Sequence, residues 1–159
     1  MACGLWLVAC GLWPVDCREE GRRLATRQSM ETECGPGSVH NLEIWQEGIQ
    51  VVREAYVISA AWPDQERFGL TAQVRRAAVS IPSNLAEGVG RGSPRETSRF
   101  AQIALGSLYE LDTLLQVSLD LGFSGTEAVS TLRQRLRSLA KRISSFITYQ
   151  HHRERESRR

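Results

Sequence analysis

Between residues 41 and 150 the apolar side chains recur at intervals of three and four, in runs separated by stretches rich in glycine and proline. That spacing follows the period of a helix, so each run lines one helical face. The first run is Leu42, Trp45, Ile49, Val52 and Tyr56, and the second is Leu70, Val74, Ala77, Ile81 and Leu85. The third is Phe100, Ile103, Ser107, Leu111, Leu114, Ser118 and Leu121; the fourth is Leu132, Leu136, Leu139, Ile143 and Phe146, ending near Gln150. No part of this span alternates with the period of two that a half-buried strand requires. A helix with one oily face must cover it with another element. Helices joined by short connections pair antiparallel, which predicts an all-α, up-down-up-down four-helix bundle.

The breaks carry their own signals. In "WPDQERFG" (62–69), Trp62 precedes a proline and is driven out of helical backbone, and Asp64 is the expected N-cap of the next helix. In "GRGSP" (90–94), Ser93 precedes Pro94 at the first helical position, with Glu96 at the third, a start signature. In "LGFSGTE" (121–127), Gly122 suits a left-handed C-cap. The small residues Ala101, Ala104, Gly106 and Ser107 are expected to let a neighbouring helix approach closely.

The stretch "RRAAVSIPSNLAEGVGRGS" (75–93) is where chemistry would be sought first, because it gathers glycines, serines, an asparagine and a glutamate. Its "GVGRGSP" has the glycines of a phosphate loop but lacks GK[ST] and lies between helices rather than after a strand. The histidines, His40, His151 and His152, fall at the edges of the domain, far in sequence from Ser80, Ser83 and Ser107. No HExxH, nucleophile elbow or metal cluster is present in the sequence, so no catalytic residue, cofactor or metal ligand is assigned. The structural alternative is a joint. Pro82 lacks an amide proton and displaces the carbonyl of Ala78, kinking the second helix, while Ser80, Ser83 and Asn84 satisfy the freed backbone groups. Asn84 and Glu87 would share a face, with Glu87 reaching an arginine or, through a partner, the Glu110 face of the third helix.

The chain has 159 residues, 42% hydrophobic and 24% charged, the balance of a globular domain long enough for a real core. Its net charge of +2 is too small to point to a partner. Lys141 is the only lysine, so positive charge is almost all arginine; this favours bidentate contacts to phosphate or carboxylate, although a GC-rich coding sequence gives the same skew. All the cysteines, Cys3, Cys10, Cys17 and Cys34, precede residue 40 and match neither a zinc site nor a disulfide framework. No apolar run reaches the roughly 18 to 20 residues of a membrane span. A reduced, cytoplasmic domain is the simplest expectation.

Residues 1–39 do not read like the rest. "ACGLWLV" (2–8) recurs as "ACGLWPV" (9–15), with glycine and proline too dense for a helix. Three readings fit: translation of a tandem repeat upstream of a true start at Met30, which is favoured; a genuine disordered tail; or a signal or lipid anchor, for which the basic n-region is missing. "ECGPGS" (33–38) then marks a boundary, giving an extension over 1–39, a bundle over 40–150 and a basic tail over 151–159.

With these residues in view, the chain resembles the bacterial four-helix-bundle family first noticed as open reading frames inside intervening sequences of 23S ribosomal RNA genes. The resemblance rests on Trp45, Pro63, Glu66 with Phe68-Gly69-Leu70, Gln73 with Arg75-Arg76-Ala77, Ser80, Pro82-Ser83-Asn84, Ala86-Glu87-Gly88, Ala104, Gly106-Ser107 and Glu110-Leu111. It covers about residues 41–150; the first 40 residues and the tail "HHRERESRR" have no counterpart, which favours Met30 as the start. The resemblance implies a non-enzymatic protein whose motif residues Pro82, Asn84, Glu87, Gly88, Gly106, Ser107 and Glu110 are structural. Proteins similar to this family act as accessory factors of diversity-generating retroelements, as homopentamers with a basic surface that contacts nucleic acid and a reverse transcriptase. By that analogy a homopentamer is the expected assembly.

One feature supports nucleic-acid contact independently. From 132 to 150 the fourth helix carries Arg133, Arg135, Arg137, Lys141 and Arg142 with no acid among them. Arg133, Arg137 and Lys141 are four apart and form a stripe, extended by Arg153, Arg155, Arg158 and Arg159. A stripe of this kind suits sequence-blind contact to the phosphates of RNA or DNA, with Arg133, Arg137, Lys141 and Arg142 as the candidate residues. The alternative is a basic face paired with acids such as Asp112 and Asp120, on a protein that serves as an interaction scaffold. No aromatic residue interleaves with the arginines except toward the core, which gives single-strand stacking little support.

Overall fold

The computed structural model describes residues 39–159, so the readings made for residues 1–38 lie outside the described residues. After a short 3-10 turn at Val39–Asn41 come α1 (Glu43–Ser59), α2 (Leu70–Gly90), α3 (Pro94–Asp120) and α4 (Thr126–Glu156). Among the described residues there is no strand. α1 packs on α2, α2 on α3 and α3 on α4, and α1 closes against α4, while the diagonal pairs do not meet. Cross-links between opposite ends, such as Glu43 to Arg142 and Glu54 to Arg135, make the neighbours antiparallel. The expected bundle is the observed one.

Its centre is built from Val51, Ala55, Val74, Ala77, Ile81, Leu85, Leu108, Leu111, Leu115, Val129, Leu132, Leu136, Leu139 and Ile143, all at most 2% exposed. Each leucine or isoleucine so buried contributes about 1.5–3 kcal/mol relative to exposure. The second and fourth faces agree with the sequence spacing, except that Leu70 and Phe146 lie at the rim. The first face is displaced by one residue; the third keeps Ser107, Leu111 and Ser118 as expected but shifts by one elsewhere, from Phe100, Ile103 and Leu114 to Ala101, Ala104 and Leu115. α1 turns Ile44, Gly48, Val51, Ala55 and Ser59 inward, whereas Tyr56 is 44% exposed. α3 turns Ala101, Ala104, Ser107, Leu108, Leu111, Leu115 and Ser118 inward, whereas Ile103 and Leu121 lie largely outside. The cause is packing distance. Where helices come close, small residues occupy the seam and bulky ones move to its edges. A Cβ on Gly48 would sit 3.4 Å from the Cβ of Pro82, and Gly48 is the residue an apolar count skips.

The ends correct two expectations. Asp64 does not cap α2; it opens a 3-10 turn, Asp64–Arg67, and the Glu66 carboxylate accepts the amide of Leu70 at 2.9 Å. Ser93 does stand at the start of α3, but its hydroxyl makes no capping bond; Thr97 Oγ1 instead donates to the carbonyls of Ser93 and Gly88, both at 2.9 Å. Gly122 has φ +71° and closes α3 as expected, with its amide on Leu119 O and that of Phe123 on Ser118 O, each at 2.9 Å. Phe123 is thereby set against Trp62, which is 6% exposed and donates its Nε1 proton to Ser124 Oγ at 2.8 Å, plugging that end of the bundle. α4 passes the expected end near Gln150 and continues to Glu156.

Candidate nucleic-acid interface

The proline-asparagine joint lies within α2, which runs through it without a break. Ser83 Oγ donates to Val79 O at 2.8 Å, and Asn84 Nδ2 donates to Ser80 O at 2.8 Å and to Ser80 Oγ at 2.9 Å. Ser80 Oγ then meets Ser107 Oγ across the α2–α3 seam at 2.9 Å. The polar residues around Pro82 thus serve backbone and seam, but through the carbonyls of Val79 and Ser80 rather than the carbonyl of Ala78 that the proline was expected to free. Gly88 is a point of close approach: a Cβ there would lie 2.8 Å from Phe100 Cβ and 3.2 Å from Thr97 O. Glu87 reaches an arginine, the first of its two expected partners, pairing at 2.6 Å with Arg91 on its own helix. One motif residue falls elsewhere than expected: Gly106 faces outward with nothing within 4 Å of where its Cβ would be. Glu110 lies 3.7 Å from Arg76 of α2, both well exposed.

The hydroxyls of the seam are therefore engaged. A serine–histidine contact does form where sequence distance argued against one: Ser98 Oγ and His151 Nε2 are 3.1 Å apart, tying the start of α3 to the end of α4. Ser98 is only 2% exposed. Among the described residues no group of histidine, cysteine or carboxylate side chains is arranged to hold a metal. No described helix is long and apolar enough to cross a membrane.

Between Leu132 and Gln150 the cations of α4 divide into two sets. Arg133 donates Nε to Asp112 Oδ1 at 2.8 Å and Nη1 to Gln116 Oε1 at 2.7 Å on α3. The hydrogen bond it donates to Asp112 raises the Arg133 guanidinium above its ordinary pKa; partial burial opposes this, and the charges of Asp112 and Asp120 add to it. Arg142 bridges Glu43 and Glu47, and Arg135 holds Glu54 at 2.9 Å, all on α1. These acids of α1 lie off its apolar face in the sequence; the closure of α1 on α4 turns them to the arginines. Arg137 and Lys141 are exposed and have no carboxylate partner among the described residues.

Both free cations open on a groove between α3 and α4 of about 610 Å³. Its floor is Leu108, Leu136 and Ala140, and its walls include Tyr109 and Asp112 from α3 and the short Ser144 and Ser145 from α4. Tyr109 is 58% exposed. The sequence left this tyrosine aside, because no aromatic follows the arginines along α4 in the groove; it arrives from the facing helix. Its only signal is its place beside the core residue Leu108.

Four antiparallel helices closed in a ring, with small-residue contacts around a proline-containing second helix, define the structural class. Residues 40–145 match the model of the 23S rRNA-intervening sequence protein family, and the chain belongs to that family. Comparison with curated proteins gives no match.

Proposed function

We propose that this is a non-enzymatic, oligomeric protein of the cytoplasm that contacts nucleic acid through the outer face of α4. The supporting observation is the pair of neighbouring cations, Arg137 and Lys141, without carboxylate partners among the described residues and set on an open groove, while Arg133, Arg135 and Arg142 are tied to acids. A backbone-tracking contact needs cations that are free to meet phosphate. Arg133 and Arg142 flank the pair and contribute field more than contact, since each already holds a carboxylate. By analogy with the similar accessory factors, the assembly is a homopentamer and a reverse transcriptase is a partner.

The test is binding of short RNA and DNA by fluorescence anisotropy at rising salt. Affinity should fall steeply with salt and be lost in an Arg137→Glu/Lys141→Glu double variant that keeps its helical circular dichroism. Indifference of the purified oligomer to RNA and DNA at low salt would remove the reading. A scaffold reading is favoured by a different observation: Phe68 is 88% and Val57 75% exposed, apolar groups suited to contact with another chain. Light scattering tests self-association directly, with a mass of five chains expected and dissociation expected for Phe68→Ser.

A further inference from the structure

The α3–α4 groove is shaped for more than charge. Its floor is apolar, with Leu108 and Leu136 at most 2% and Ala140 9% exposed, while Tyr109 stands on its wall, more than half in solvent. Ser144 and Ser145 are short, and their hydroxyls turn back to the carbonyls of Ala140 and Lys141 at 2.9 and 3.1 Å. The one acid of the groove, Asp112, is already held by Arg133, so its charge does not confront an incoming anion unscreened.

A second exposed tyrosine lies further along α4, outside the groove. Arg137, Lys141, Ser145, Tyr149 and Arg153 follow one another at intervals of four along α4. Tyr149 is 57% exposed, and the Arg153 guanidinium lies 6.0 Å from its ring centroid. From Arg137 to Tyr149 the helix rises about 18 Å. The groove thus sets two cations and one exposed aromatic ring beside an apolar floor.

We infer that the groove takes single-stranded rather than duplex nucleic acid, with an unpaired base laid on Tyr109 over the Leu108–Leu136 floor and the adjoining phosphates met by Arg137 and Lys141. This rests on the nucleic-acid reading above and narrows it. A ring stacks on any base but requires that base to be out of a duplex, whereas cations alone serve either form. Without the tyrosine the groove would be an anion site. With it, a base has an apolar seat.

The experiment compares a labelled single strand with a duplex of the same length and sequence, at low salt, on the full chain. The single strand should bind more tightly. Tyr109→Ala should weaken it by about 5- to 150-fold while changing duplex affinity by less than about twofold, and Tyr109→Phe should retain binding. Because Tyr109 is largely exposed, thermal melting should show the variants equally folded. Equal binding of both forms, or a Tyr109→Ala variant that loses both alike, would overturn the stacked base and leave the phosphate contact standing. Binding of neither form would remove both readings. Competition by polyglutamate as effective as by the unlabelled single strand would also overturn the base seat, assigning the groove to an acidic peptide.

Discussion

The α2–α3 seam and the outer face of α4 are both rich in residues that invite a functional reading, and they use them in opposite ways. In the seam, polar atoms are consumed at close range: Asn84 holds Ser80, Ser80 holds Ser107, and Thr97 holds the carbonyl of Gly88. On α4, three arginines are consumed by acids of neighbouring helices, but Arg137 and Lys141 are left over beside a groove. The motif that is most conspicuous in the sequence is therefore spent on packing. The less conspicuous pair is what remains available to a partner. Availability, rather than residue type, separates scaffold from surface.

Substitutions can break this contrast, the largest effects belonging to the seam. Gly88→Val would drive a branched side chain into Phe100 and Thr97, and should cost about 3 kcal/mol, read as a lower urea midpoint at unchanged slope. Asn84→Ala strips Ser80 of its amide donor and should cost about 1 kcal/mol in the same assay. Gly106→Ala sharpens the comparison by reversing sign. The position is open and helical, so it should gain about 1 kcal/mol, unless a second copy lies against it and self-association falls instead. The smallest change is expected on α4, where Arg137→Gln with Lys141→Gln should move stability by less than about 0.5 kcal/mol.

The bundle was legible because its apolar residues keep a helical period over long runs and its breaks carry proline and glycine in the right order. Inward faces were less legible in α1, where Gly48 buries little surface itself yet decides which side turns in, whereas Ala101, Ala104 and Ser107 could be read as the small residues of a close approach. Asp64 and Ser93 had the chemistry of caps, but Glu66 and Thr97 were better placed to bond the backbone. Of the candidate interface, the basic stripe could be read directly, and so could Asp112 as an alternative partner. The acids of α1 that neutralise Arg135 and Arg142, and the tyrosine facing Arg137, come from other helices. Periodicity along one helix carries no record of them.

The most direct test of the division between consumed and available cations is the salt dependence of nucleic-acid affinity in two paired variants. Arg137→Gln/Lys141→Gln should reduce the slope of log affinity against log salt by about 1.4–1.8, the release expected for two phosphate contacts, whereas Arg135→Gln/Arg142→Gln, tied to acids of α1 away from the groove, should leave it nearly unchanged. Equal reductions in both variants would contradict the account, because net charge alone would then govern binding.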